Sequence, residues 1–141
     1  MKTILVAYDD TEPSRRALDR TATLAEAFGS RVLVTSVAPL HYSSPRLTLT
    51  VKERGEGIAA REEDMQQAQA ILKERGIAAE SLAAMGEPAT AIARLAEKHD
   101  VDLVVVGTRE LGALQRLLGQ SVSQEVSRKA RCDVLIVHAG D

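Results

Sequence analysis

Asp9 closes the first apolar run of the chain and stands directly before Asp10-Thr11-Glu12-Pro13-Ser14. A carboxylate in that place has two uses. It can accept hydrogen bonds from an exocyclic amine or from ribose-type hydroxyls, or it can cap the helix that follows. Much further on, Arg109, Arg116 and Ser123 lie around a polar, Gly-containing stretch, and their side chains are of the kind that donate to phosphate. Arg116 and Arg128 read equally well as ordinary solvated helix charges.

No other grouping amounts to a reaction centre. His41, His99 and His138 are too scattered for a zinc site. His99 falls on the apolar stripe of a helix, where a packed or rim position is expected. Glu62-Glu63-Asp64 is a run of carboxylates, but consecutive residues on a helix point apart, so a solvated face is expected. Cys132 is the only cysteine, which rules out an intrachain disulfide. Lys129 and Arg131 would lower its pKa, yet a half-buried structural thiol fits its setting better. There is no Gly-x-Ser-x-Gly elbow, no Gly-Lys-Ser phosphate loop and no paired acid and base. The chain is expected not to be an enzyme, with at most very slow ATP hydrolysis.

The bulk properties narrow the partners. The chain has 141 residues, 45% hydrophobic and 27% charged, which is room for one domain over 1–141 and one core. Phe28, Tyr8 and Tyr42 are its only aromatics, so the core must be aliphatic and stacking platforms for single-stranded nucleic acid are missing. A net charge of −2 leaves no basic excess for a duplex. Nucleic acid is not expected as a partner. No apolar stretch approaches a membrane span, and Met1 to Val6 is too short for a signal peptide, so a cytoplasmic protein without membrane association is expected.

The elements that must position these side chains alternate. Thr3 to Tyr8 reads as a strand buried on both faces. Asp10 or Thr11 caps a helix with Pro13 in its first turn, apolar at Ala17, Thr21, Leu24, Ala25 and Phe28, and stopped by Gly29. Arg31 to Ala38 is a second strand, and Pro39 to Gly57 is an irregular excursion. Ile58 to Arg75 is helical, with Ile58, Arg61, Met65, Ala68 and Leu72 on one face. Ile77 to Met85 is a weaker strand. Pro88 opens a helix carrying Ile92, Leu95, Ala96 and His99, and Asp102 to Val106 is the most apolar strand. A polar segment from Gly107 to Gly112 follows, then a helix turning Leu118, Val122 and Val126 inward, then a strand from Asp133 to His138. The order β-α-β-α-β-α-β-α-β, with right-handed crossovers, gives a doubly wound α/β fold with a parallel sheet and helices on both faces.

Three segments resemble the universal stress protein family. Ile4-Leu5-Val6-Ala7-Tyr8-Asp9-Asp10-Thr11-Glu12-Pro13-Ser14 is similar to its strand-Asp-Gly-Ser opening, and Gly86-Glu87-Pro88-Ala89-Thr90-Ala91-Ile92 to its Gly-x-Pro-x-x-x-Ile turn. Asp102 to Gly107, Ser121-Val122-Ser123 and Asp133 to Val137 resemble its tail. The resemblance implies a five-stranded sheet of order 3-2-1-4-5, adenine nucleotide alpha hydrolase-like, and a homodimer. It also implies ATP or another adenine nucleotide at the carboxyl ends of strands 1 and 4, with Mg2+ arriving only with bound nucleotide. Open α/β sheets bind ligands at that switch point in any case.

Carried over residue by residue, the resemblance puts adenine against Ala7, Tyr8, Asp9 and the backbone of Val37. The phosphates fall against Gly107, Thr108, Arg109, Gln120, Ser121, Val122 and Ser123. The phosphate loop departs from the family's Gly-x2-Gly-x9-Gly-Ser/Thr. Gly107 and Ser121 match its ends, but Glu110 and Gln120 occupy glycine positions. A carboxylate a few ångströms from a polyphosphate costs several kcal/mol at intermediate dielectric. A shifted register would bring Gly119 to the third glycine, and Tyr8 is bulkier than the family's usual residue. Two functions therefore stand: an adenine-nucleotide-binding regulatory protein of the stress response, or a dimeric stress-response binding module that has lost nucleotide affinity. The homodimer is expected through the apolar edge strand Asp133 to His138.

Overall fold

The computed structural model describes residues 1–36, 51–84, 86–108 and 122–138, with backbone alone for 51–56. Its elements are β1 (Thr3–Ala7), α1 (Glu12–Phe28), β2 (Arg31–Ser36), α2 (Val51–Glu74), β3 (Ala79–Ala83), α3 (Pro88–Lys98), β4 (Leu103–Thr108), α4 (Val122–Lys129) and β5 (Asp133–His138). The five strands are parallel and run in the order β3-β2-β1-β4-β5, as the resemblance implies.

β1 is central, and Ile4, Leu5 and Val6 are fully buried because helices cover both faces. Strand alternation divides the core into two layers. Ile4, Val6, Tyr8, Val32, Val34 and Val105 pack with Ala17 and Leu18 of α1 and Met65 and Leu72 of α2. On the other face Leu5, Leu33, Val104 and Val106 pack with Ala89 and Ile92 of α3 and Val126 of α4.

The register between β1 and β4 is pinned at their amino ends. The Lys2 and Thr3 amides both donate to Asp102 Oδ2 at 2.8 Å, and the Asp102 amide donates to the Thr3 carbonyl at 2.9 Å. Those amides hold the Asp102 carboxyl below the usual carboxylate range. Ile4 then pairs with Leu103 and Val6 with Val105, so three residues further on Asp9 and Thr108 leave the sheet at one edge.

Several boundaries differ from the sequence reading. α2 begins at Val51, inside the stretch expected to be irregular, and Gly55 and Gly57 are helical. Each glycine costs about 1 kcal/mol in a helix interior, which neighbours such as Lys52, Glu53, Arg54 and Glu56 tolerate. Gly107 and Thr108 are the last residues of β4, not the start of a loop. Three apolar positions expected inside lie outside: Phe28 is 59% exposed, Ile58 51% and Val122 41%. On α4 the inward residue beside Val126 is instead Ser123. Gly29 ends α1 as expected, in the left-handed region at φ 65.

Candidate functional site

The carboxyl edge of β1 is built by a closed ring of hydrogen bonds. Thr11, not Asp9 or Asp10, is the N-cap of α1, and it forms a reciprocal capping box with Ser14. Asp9 lies outside the helix and orients that cap: the Thr11 amide and hydroxyl donate to Asp9 Oδ1 at 3.2 and 2.5 Å. The Asp9 amide in turn donates to Ser14 Oγ at 3.2 Å. Among the described residues no hydrogen bond reaches Asp9 Oδ2, so half of the carboxylate remains for an amine or a hydroxyl.

Asp10 stands where the family pattern has glycine, and its backbone explains that preference. Its φ is 60, in the left-handed region where a Cβ is strained. The side chain is held by Arg15, whose Nε and Nη2 donate to Oδ1, and by the Tyr8 hydroxyl at 3.1 Å. The Arg15 guanidinium first, and the Tyr8 hydroxyl with it, hold the Asp10 carboxyl below its ordinary range.

Tyr8 faces away from α4. Its ring is buried in the layer under α1 and α2, and its phenolic oxygen is 2.7 Å from Gln67 Oε1. A phenol has one proton, so donation to Asp10 leaves the Gln67 amide to turn its NH2 toward the oxygen. Burial pushes the Tyr8 hydroxyl up from its ordinary value. Only the Tyr8 backbone lies along the strand edge; its amide donates to the Thr35 carbonyl at 2.9 Å.

Asp64 is the residue the sequence hid. Placed within Glu62-Glu63-Asp64 it reads as solvated, yet it turns inward and accepts from Ser36 Oγ at 3.2 Å at the carboxyl end of β2. Burial raises its pKa; the Ser36 bond opposes that, and the Asp10 and Asp9 carboxylates add to it. The signal for this was present in the spacing: Asp64 precedes buried Met65 and lies four residues before buried Ala68. Among the described residues no group of three or more His, Cys, Asp or Glu side chains gathers to hold a metal ion.

On the β4 side, Gly107 meets the first turn of α1. A Cβ at Gly107 would sit 2.4 Å from the carbonyl carbon and oxygen of Pro13. Thr108 ends the strand, half-buried. Ser123 is buried in the first turn of α4, whose Val126 joins the same layer as Leu5 and Ala7. Thus Ala7, Asp9, Gly107, Thr108 and Ser123 gather at one edge, while Val122 points to solvent. Val37, Arg109, Glu110, Gln120 and Ser121 lie outside the described residues.

The turn into α3 is a second polar knot. Glu87 is the N-cap and accepts from the Ala89 and Thr90 amides at 3.1 and 2.9 Å, from Thr90 Oγ1 at 2.6 Å and from Lys129 Nζ at 3.4 Å. The Thr90 hydroxyl and these amides bring its pKa down to about 2. Cys132 is half-buried, and burial pushes its thiol up, in keeping with a structural role. No helix among the described residues is long and apolar enough to cross a membrane.

Comparison with known proteins agrees with this fold. The model of the universal stress protein family matches residues 1–138. A universal stress protein of Thermus aquaticus is 36% identical, over 96% of this chain and 98% of that protein. One from Mycobacterium tuberculosis is 34% identical over 97% and 96%. Among solved structures, a universal stress protein in complex with cAMP superposes with a TM-score of 0.76 at 29% identity, covering 99% of this chain and 98% of that one. The universal stress protein from Archaeoglobus fulgidus in complex with dAMP, at 23% identity and a TM-score of 0.72, shares the fold.

Proposed function

The chain belongs to the universal stress protein family, and from that premise we propose that it is a cytoplasmic regulatory protein that binds an adenine nucleotide. The observation that carries this reading is the edge where β1 and β4 diverge. There Asp9 keeps one carboxylate oxygen open, and Ser123 begins a helix across the switch point. The base goes to the β1–β2 side, against Ala7, Asp9 and Val37. The phosphate goes to the β4–α4 side, against Gly107, Thr108 and the segment from Gln120 to Ser123. The related structure that holds cAMP supports a ligand of this class.

A monophosphate suits this chain better than ATP. Glu110 stands at a glycine position of the phosphate loop, and its charge opposes a polyphosphate far more than a single phosphate. Mg2+ would enter only with a bound polyphosphate. No residue is assigned to catalysis; the bound nucleotide acts by biasing conformation or partner choice within a homodimer formed through β5.

Mass spectrometry of small molecules released from the purified protein, followed by calorimetry with AMP, cAMP and ATP, tests this. AMP or cAMP is expected to bind more tightly than ATP, and Glu110→Gly to tighten ATP much more than adenosine. Glu110 and Gln120 also favour a second reading, a dimeric module without nucleotide affinity. Absence of binding by all three nucleotides would decide for it.

A further inference from the structure

Thr35 is fully buried, and its hydroxyl has no hydrogen-bond partner among the described residues. It sits in β2 opposite Ala7 of β1 on one side and Leu82 of β3 on the other. Strand alternation puts its side chain on the face of Leu33, the face covered by α3 and α4 and shared by Ala7 and Leu82. Val34 and Ser36 point the other way, where Ser36 is satisfied by Asp64. Thr35 is thus the buried polar side chain of β2 on the face shared by Ala7 and by α4, the helix that carries Ser123.

A β-branched residue suits the middle of a strand, but valine would serve that purpose without a hydroxyl. Leaving a buried hydroxyl unpaired costs stability that the valine isostere would recover. An interior water is a poor partner here, because it needs two to four polar groups and the neighbours on this face are Ala7, Leu33 and Leu82. Cost without structural return is the mark of a group kept for a ligand.

We propose that the Thr35 hydroxyl recognises the base of the bound nucleotide, hydrogen-bonding its polar edge from the floor of the site. This rests on the nucleotide reading above and adds a residue to it. Position decides which part of the ligand it meets. Phosphate lies toward β4 and α4, whereas Thr35 lies on β2, two strands away in the order β2-β1-β4.

The test compares wild type, Thr35→Val and Thr35→Ser by calorimetry with AMP and with adenosine, and by thermal unfolding without ligand. Thr35→Val is expected to melt about 3 °C higher, yet to bind AMP and adenosine about tenfold more weakly and by the same factor. Thr35→Ser keeps the hydroxyl and is expected to stay within about threefold of wild type. A purely structural threonine would move the melting temperature and leave affinity alone. Wild type and Thr35→Val binding AMP equally would overturn this assignment and leave the nucleotide reading standing. A wild-type chain that binds neither AMP nor adenosine would remove both.

Discussion

The backbone of Pro13 touches Gly107 so closely that a methyl group on Gly107 would overlap the Pro13 carbonyl at 2.4 Å. Gly107, expected from the resemblance to open a phosphate loop, is therefore also the seat of α1. This couples the two halves of the candidate site: α1 carries the Thr11–Ser14 cap that orients Asp9, and β4 carries Thr108 to the same edge. Gly107→Ala is expected to cost about 1–3 kcal/mol, the range for overpacking against backbone that cannot swing away. Urea unfolding measures it, and a midpoint equal to wild type would show that α1 yields freely.

Asp10 offers the opposite case, a side chain at a position built for glycine. Its φ of 60 strains any Cβ, and its bonds to Arg15 and Tyr8 offset that strain. Asp10→Ala keeps the strain and loses the bonds, so it is expected to melt about 3 °C below wild type. Asp10→Gly loses both together and is expected to stay within about 2 °C. Alanine and glycine variants of equal stability would show that the backbone conformation carries no cost.

Much of this was legible in the sequence, and for identifiable reasons. The apolar runs around Leu5, Leu33, Val105 and Leu135 marked four of the strands because parallel strands buried on both faces need no polar alternation. Asp133–His138 came out to the residue. What failed was direction. On α4 Val126 faces inward as expected, and Ser123 joins it in place of Val122, one residue and about 100° away. Asp64 was lost among neighbouring carboxylates because a charge run has no phase, and only the packing of Met65 and Ala68 supplies one. Thr35 gave no signal, since a threonine in a strand looks the same whether its hydroxyl is paired or not.

Acid should loosen the turn into α3. Glu87 has a pKa of about 2 in the fold, against an ordinary value of 4.5. A depressed carboxyl contributes stability that is present above the ordinary value and lost as pH falls toward the folded one. Glu87→Ala is therefore expected to cost about 1 kcal/mol near neutral pH, as N-cap losses do, and progressively less between about pH 4.5 and about pH 2. Asp64, raised by burial, works in the other direction, so its protonation in acid offsets part of the loss. Urea midpoints measured across that range check the sign; a Glu87→Ala deficit that grows on acidification would contradict it.

The two edges of the sheet differ in a way that favours one for the proposed homodimer. β3 exposes Glu80 and Ser81, and Glu80 is held by a two-pronged contact from Arg31, so that edge carries charge. β5 carries Val134, Leu135 and Ile136, all half-buried, with its outer backbone edge unpaired by any described strand. Self-pairing across a twofold axis makes two copies of β5 antiparallel and covers this edge without a further element. Val137 is not the residue to probe: it is buried against the α1 layer, so Val137→Lys would report on the fold. Ile136 lies at the rim of the α3–α4 layer, and Ile136→Lys places a charge at the proposed contact. Sedimentation at micromolar concentration is expected to give a dimer for wild type and a folded monomer for Ile136→Lys, with circular dichroism confirming the fold. A wild-type chain that sediments as a monomer there would sink the interface.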